Sequence, residues 1–257
     1  GWLSSSEPKE RLAARTTLVK LRPDKAVGLL QQILEQGSVQ EQQTALILLR
    51  QLENAEADVV LERLLRSFAA GLLAPELQVE LQEAVQVRGH THWKKLWQEG
   101  IGQLGKAGPY AQHRPALLGG DASEGRKIFF EKIAVACLRC HKVGNDGGEV
   151  GPELTHIGKE KNREYLLESI VDPNKTIAKG FEMTILLTED GVVHQGVVKK
   201  EDEGTVTIIT PEAKTVVLKK SDIEERKTGK SAMPEDILQQ LSIRELRDLL
   251  EYLSSLK

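Results

Sequence analysis

The chain has 257 residues, of which 28% are charged and only 4% aromatic, and its formal net charge is −3. This length allows two domains with substantial cores, and the scarcity of aromatic residues leaves the packing to Leu, Val, Ile and Ala. Charges of both signs are mixed along the chain, without the basic patch of a nucleic-acid-binding protein. No apolar run approaches the roughly 18 residues that a membrane-spanning helix requires.

The N-terminal part of the chain predicts a series of amphipathic helices. Each begins at a capping residue or a proline, and the predicted ranges are 6–21, 23–36, 38–52, 54–70 and 75–88. Four leucines have the helical spacing of a buried stripe: Leu61, Leu64, Leu65 and Leu72. Because helix starts recur at short intervals, this region resembles stacked helical hairpins of the HEAT or armadillo kind. We expect a scaffold or spacer, with a protein-binding surface as the alternative.

A linker is predicted between the two parts of the chain. Residues 100–120 contain six glycines and two prolines, a composition typical of linkers. We place the boundary near Leu118, which gives a helical-repeat domain plus linker at 1–118 and a second domain at 119–257. The second domain opens with a short predicted helix at 121–130, which leads toward the cysteines.

The most specific motif lies in the second domain. Cys137, Cys140 and His141 stand together as Cys-Leu-Arg-Cys-His, and these cysteines are the only two in the chain. A C-x-x-C-H run is the attachment motif of c-type haem. Two thiols about one helical turn apart can add to the two vinyl groups of one porphyrin, and the adjacent imidazole then reaches the iron. The motif predicts thioether bonds at Cys137 and Cys140 and proximal iron ligation by His141.

Other functions remain open for the same residues. A zinc site would need two ligands beyond the cysteine pair, and His141 and His156 could supply them. A thioredoxin-like dithiol would need a βαβ setting, which this region lacks. The alternatives to an electron carrier are therefore a zinc-stabilised interaction module and a haem enzyme with an open distal site. No paired carboxylates, nucleophile elbow, P-loop or dinucleotide fingerprint indicates independent enzymatic chemistry.

A loop and a short helix follow the motif. The loop at 144–151 is rich in glycine, and Asn162 is placed to cap a helix at 163–171. Pro173 is expected to stop that helix.

From 181 to 226 the pattern changes to short β runs. Asp190-Gly191 is a strong hairpin signal, and the predicted strands are 183–188, 192–198, 205–210 and 215–218. Four or five such strands predict a small SH3-like or Sm-like barrel, inserted at 181–226 in the second domain. Ser242 and Glu245 have the spacing of a capping box, which predicts a final helix at 243–256. The predicted fold class is mainly α with an inserted β subdomain.

Residues 120–257 resemble the planctomycete-type haem-binding domain, a cytochrome c family with an inserted β region. The stretches that carry the resemblance are 120–129, 137–141, 151–154, 167–170 with 172–173, and 231–234. The resemblance implies a class I-like core with one covalently attached haem c, and electron transfer as its usual work. The N-terminal region is similar to segments found ahead of such domains in large exported dehydrogenase-like proteins. The implied partners are a dehydrogenase donor and a cytochrome or oxidase acceptor.

The resemblance also implies a role for Pro152. The second ring nitrogen of His141 needs an acceptor that fixes the ring and tunes its basicity. In class I cytochromes a proline carbonyl shortly after the motif often fills this role, and Pro152 occupies the matching position. The alternative is an ordinary loop proline.

The choice of sixth iron ligand sets the reduction potential and reactivity, and a thioether raises the potential relative to a second imidazole. The chain has two methionines. Met233 lies in a polar loop before the final helix, and Pro234 biases it toward an extended conformation. Met183 lies in a β run and is expected in the core. We predict Met233 as the distal ligand, with His156, His194 or an open site as the alternatives.

Two packing expectations follow from the class I resemblance. The first helix of the domain should cross the last, with Gly125 permitting close approach and Phe129 or Phe130 meeting Tyr252. Because the β region lies between His141 and the distal ligand, its two ends should also be neighbours in space.

Export is implied if haem is covalently attached, because c-type cytochromes acquire haem outside the cytoplasm. The chain opens Gly-Trp-Leu-Ser-Ser-Ser-Glu-Pro, which is not a signal-peptide pattern. We therefore expect a mature or excised fragment of a longer periplasmic or otherwise exported protein.

Overall fold

Helices make up about 55% of the chain in the computed structural model and strands 16%, so the predicted mainly α class with a small β region is confirmed. The structure describes residues 2–105 and 110–257; Gly1 and residues 106–109 of the predicted linker lie outside the described residues. Among the described helices, none combines the length and apolar content needed to cross a bilayer.

The chain divides into two compact units, Gly1–Gly119 and Gly120–Lys257. The first contains the helices α1 Pro8–Leu21, α2 Pro23–Gln36, α3 Val39–Leu49, α4 Ala55–Ala69, α5 Gln78–Arg88 and α6 Thr91–Gly105. Short 3₁₀ segments lie at Trp2–Ser4, Pro75–Leu77 and Ala111–Leu117. Two predicted helix starts are confirmed. Ser38 and Glu41 form a capping box at the start of α3, and the Asn54 side chain caps α4.

Two expectations for the first unit are wrong. Leu72 is 79% exposed because α4 ends at Ala69 and Gly71 turns the chain in a left-handed conformation. The expected linker is largely structured, since α6 runs to Gly105 and the Ala111–Leu117 segment buries its last three residues. Gly100 serves packing rather than flexibility: a β-carbon there would lie 2.3 Å from the Phe68 ring.

The helices of the second unit are short except at its end. They are α7 Ala122–Glu131, α8 Cys137–Cys140, α9 Ile157–Glu160, α10 Arg163–Val171 and α11 Ile243–Ser255, with 3₁₀ segments at Lys220–Asp222 and Ile237–Gln240. The side chain of Asn162 caps α10, and Ser242 with Glu245 forms the predicted capping box of α11.

The crossing of α7 and α11 is confirmed. A β-carbon on Gly125 would lie 1.9 Å from the carbonyl oxygen of Asp248, so the two backbones are almost in contact. The ring centroids of Phe129 and Phe130 lie 5.7 Å and 6.4 Å from that of Tyr252. The glycine therefore permits the approach that brings these aromatic rings together.

The described strands form two antiparallel sheets. A small ribbon pairs β1 Lys142–Val143 with β2 Asp146–Gly147. The larger sheet contains β3 Glu182–Thr188, β4 Val193–Glu201, β5 Thr205–Ile209, β6 Thr215–Lys219 and β7 Ile223–Ser231, in the order β6-β5-β4-β3-β7. Leu186, Val206 and Ile208 are its fully buried core.

The β region differs from its prediction in extent and closure. Its last strand reaches Ser231, five residues beyond the predicted end at Arg226. The sequence did not indicate this end because β7 is a polar edge strand without an alternating apolar pattern. β6 and β7 are the two edges, and within the described strands no hydrogen-bonded pairing between them closes a barrel. The expected proximity of its ends is confirmed, since Glu182 is paired with Ser231.

Candidate functional site

A cavity of about 270 Å³ lies within the second unit. Its walls are mainly apolar and come from α7 to α11, the 3₁₀ segment at Ile237–Gln240 and the loops between them. Every residue that the sequence analysis selected for the site lines this one cavity: Cys137, Cys140, His141, Pro152 and Met233.

The two cysteines lie one turn apart at the two ends of α8. Both thiols are free and half-buried. Burial raises the pKa of the Cys137 thiol to about 11, and the nearby Cys140 thiol adds to this effect. Ala136, which precedes the turn, has φ 43° and ψ 40°, a left-handed conformation that costs a residue with a β-carbon about 1–2 kcal/mol. The turn is therefore held in place by its surroundings against local backbone preference.

His141 is oriented by the loop that follows it. Its Nδ1 lies 2.8 Å from the carbonyl oxygen of Pro152. Because a carbonyl can only accept, Nδ1 carries the proton and Nε2 keeps its lone pair. Burial lowers the pKa of His141, although the bond to Pro152 opposes this effect. The ring is thus held as the neutral imidazole, with a nitrogen able to bind a metal.

The glycine-rich loop wraps closely around the motif, a role that the sequence analysis did not assign. Gly148 and Gly151 donate backbone hydrogen bonds of 2.9 Å and 2.8 Å to the carbonyls of Leu138 and Cys140. A β-carbon on Gly151 would lie 2.5 Å from Cε1 of His141. The four glycines of residues 144–151 were the available sequence signal for this close approach.

Met233 lies in the loop that follows β7. It is half-buried, lines the cavity, and its backbone N–H donates to Oγ of Ser231 at 3.2 Å. The other candidates lie elsewhere: Met183 is half-buried in β3, His156 is exposed beside α9, and His194 is in β4. None of these three lines the cavity. The structure therefore brings together His141 and Met233 alone among the predicted iron ligands.

The zinc and dithiol alternatives gain no support from this geometry. In residues 2–105 and 110–257, no three His, Cys, Asp or Glu side chains are grouped to hold a metal ion. His141 directs Nδ1 to Pro152, and the exposed His156 does not reach the cavity. A reactive dithiol needs a lowered thiol pKa, whereas burial raises that of Cys137.

No protein-family model matches the chain, and no curated protein matches it. The functional interpretation therefore depends on the motif and on the groups that the fold gathers around the cavity.

Proposed function

We propose that residues 120–257 are a c-type cytochrome domain that carries single electrons and holds one covalently attached haem c. The observation that carries this proposal is the set of groups around one apolar cavity: two thiols, an oriented neutral imidazole and a thioether. These are the groups that would hold one haem c, through two thioether bonds, a histidine and a methionine. Haem, when bound, supplies an iron that alternates between the ferrous and ferric states.

Each residue has a distinct task in this proposal. Cys137 and Cys140 would hold the porphyrin through sulfur, and His141 would bind the iron through Nε2. The Pro152 carbonyl keeps the proton on Nδ1, which fixes the ring and increases its basicity. Met233 supplies a soft sulfur ligand that favours the ferrous state and so raises the reduction potential. The mainly apolar walls would limit the access of water to the iron.

Two features of the fold support the wider assignment. The crossing of α7 and α11 supports a class I-like cytochrome core. Successive helices from α1 to α6 support a HEAT-like scaffold for the first unit. We further propose a periplasmic or otherwise exported protein that receives electrons from a dehydrogenase module or partner and passes them to a cytochrome or oxidase. In this scheme the chain is an electron carrier and not itself an enzyme.

A visible spectrum tests the proposal directly. The full chain, produced with haem-attachment machinery, should be red, should give a c-type haemochrome spectrum in pyridine, and should gain the mass of one haem. Replacing both Cys137 and Cys140 with Ser should remove the covalent attachment. A matured sample with neither Soret absorbance nor added mass would contradict the proposal, and stoichiometric zinc in a colourless protein would favour an interaction module.

The distal ligand has its own test. Met233→Ala should lower the reduction potential and remove the methionine–iron charge-transfer band at about 695 nm. Met183→Ala is the matched control, because Met183 does not line the cavity. If Met233→Ala leaves the potential and spectrum unchanged, Met233 is not the ligand. Carbon monoxide binding to the reduced wild type without displacing a ligand would instead favour a haem enzyme with an open site.

A further inference from the structure

Asn174 connects two segments that both contribute to the cavity wall. It lies after α10, among residues of which Pro173, Thr176, Ile177 and Ala178 line the cavity. Its Oδ1 accepts a hydrogen bond of 2.9 Å from the backbone N–H of Ser231. Its Nδ2 donates one of 2.7 Å to a carboxylate oxygen of Glu235. A single side chain therefore contacts the chain both before and after Met233.

The two partners require opposite hydrogen-bonding roles from the side chain at position 174. A backbone N–H can only donate, and an ionised carboxylate can only accept. An amide has one acceptor and one donor at its end, whereas a carboxylate there would repel Glu235 and an alanine would contact neither partner. The amide of Asn174 is thus chemically matched to this position.

The contacts of Ser231 extend the connection to the sheet. Ser231 is the last residue of β7 and pairs with Glu182 at the start of β3. Its Oγ accepts the hydrogen bond from the Met233 N–H at 3.2 Å. The segment from Ser231 to Glu235 is therefore held by the sheet at one end and by Asn174 at both ends, and Lys230 forms an ion pair of 2.6 Å with the same oxygen of Glu235. Ser231, Ala232, Met233 and Pro234 all line the cavity, and Met233 is the member that carries a thioether.

We propose that Asn174 is a positioning residue that holds the Met233 loop against the cavity, an inference that rests on the proposed haem-binding function. Asn174 makes no contact with iron in this scheme. It restricts the conformations of the loop, so that the thioether remains within reach of the metal. Loss of both of its hydrogen bonds should shift the ratio of bound to unbound Met233 about tenfold toward the unbound form.

Four variants of the full, matured chain test the inference. Asn174→Ala removes both hydrogen bonds, and Asn174→Asp keeps the acceptor for Ser231 while repelling Glu235. The double variant Asn174→Asp with Glu235→Gln restores the pair with the donor and acceptor exchanged. Asn162→Ala is the control, since it removes the cap of α10 and so a comparable amount of stability, but does not touch the Met233 loop.

The readouts are the charge-transfer band, the reduction potential and the rate of carbon monoxide binding to the reduced protein. Asn174→Ala and Asn174→Asp should weaken the band, lower the potential and bind carbon monoxide about tenfold faster than the wild type. The double variant should recover most of the wild-type behaviour, and Asn162→Ala should resemble the wild type. Identical band, potential and rate in Asn174→Ala and the wild type would overturn the inference.

Amide hydrogen exchange separates this inference from the haem proposal. In the full chain produced without haem attachment, the amide of Ser231 should exchange about tenfold faster in Asn174→Ala than in the wild type. If the wild type never acquires haem, the proposed function fails and so does the ligand-positioning role. If haem is attached and the Ser231 amide exchanges equally in both proteins, only the role of Asn174 fails.

Discussion

Gly151 lies against the His141 ring, so the effect of Gly151→Ala on stability can be worked out from the distances between the added β-carbon and the ring. A β-carbon at position 151 would lie 2.5 Å from Cε1, 2.8 Å from Nδ1 and 3.0 Å from Nε2 of the ring. Real β-carbons essentially never lie within 3.0 Å of such atoms, so Gly151→Ala requires a movement of at least the difference between 2.5 Å and 3.0 Å. Either the ring or the loop must therefore shift.

Neither can shift without losing an interaction. The ring is held by the 2.8 Å bond from Nδ1 to Pro152, and the loop by the 2.8 Å bond from the Gly151 N–H to Cys140. Overpacking costs about 1–3 kcal/mol and a weakened hydrogen bond about 1 kcal/mol. We expect Gly151→Ala to lower the free energy of unfolding of the second unit by about 2–3 kcal/mol. If haem binds as proposed, a weaker bond to Pro152 would make the imidazole less basic and should raise the reduction potential.

Hydrogen exchange measured by mass spectrometry on the full chain can follow the second unit separately from the first. Peptides covering α8 and the 144–151 loop should lose protection in Gly151→Ala. Gly204→Ala is the control, because a β-carbon at that position meets nothing within 4 Å. Equal protection in Gly151→Ala and the wild type would refute the argument that the loop needs glycine to accommodate the His141 ring.

Three further predictions concern packing and pH. Gly125→Ala should destabilise the second unit by about 3 kcal/mol, because its β-carbon would lie 1.9 Å from the Asp248 carbonyl oxygen; exchange in α7 and α11 would show this, and unchanged exchange would contradict it. Glu41→Gln should lower the free energy of unfolding of the first unit by about 2 kcal/mol at neutral pH. Hydrogen bonds, first from Arg15, lower the pKa of Glu41 from 4.5 to about 2, so its stabilising contribution is present above pH 4.5 and is lost as the pH falls toward 2. Acid titrations of the two proteins should therefore converge over that range, and a constant difference would contradict the assignment. Leu186→Ala should cost about 2–4 kcal/mol of sheet stability and speed exchange in β3 and β7, since Leu186 is fully buried; Val217→Ala on the exposed edge should do neither.

The helix starts could be read from the sequence because their causes are local. A capping side chain bonds to a backbone N–H only two or three residues away, as at Ser38, Asn162 and Ser242. The residues that make the bond are therefore adjacent in the sequence. The same reasoning explains why the C-x-x-C-H motif was visible, since its spacing spans one helical turn.

The predictions of the fold were wrong where contacts with residues distant in the sequence decide the structure. β7 has no alternating apolar pattern, and it is a strand because β3 supplies its hydrogen bonds. Gly100 suggested a linker, yet it lies within α6, and the position requires glycine because the Phe68 ring occupies the space of a side chain. In both cases the deciding contact lies outside any local window of sequence.

The same difference between local and distant partners decides which residues of the candidate site could be predicted. The motif residues and Met233 were selected by residue type and by neighbours in sequence. Asn174 was not, because its partner Ser231 is 57 positions further along the chain. For Gly151, the sequence showed the high glycine content of the loop. It did not show that the close approach of the His141 ring requires a glycine there.

The sheet between the two predicted iron ligands need not disturb the site. Lengthening a loop adds little closure entropy, about 0.6 kcal/mol for each doubling. The inserted residues also bring their own core in Leu186, Val206 and Ile208, so their order does not depend on the cavity. What the site requires is that the chain leave and return at neighbouring points, and the pairing of Glu182 with Ser231 meets this requirement. The position of Met233 therefore depends on the few hydrogen bonds at the end of β7 and not on the size of the insertion.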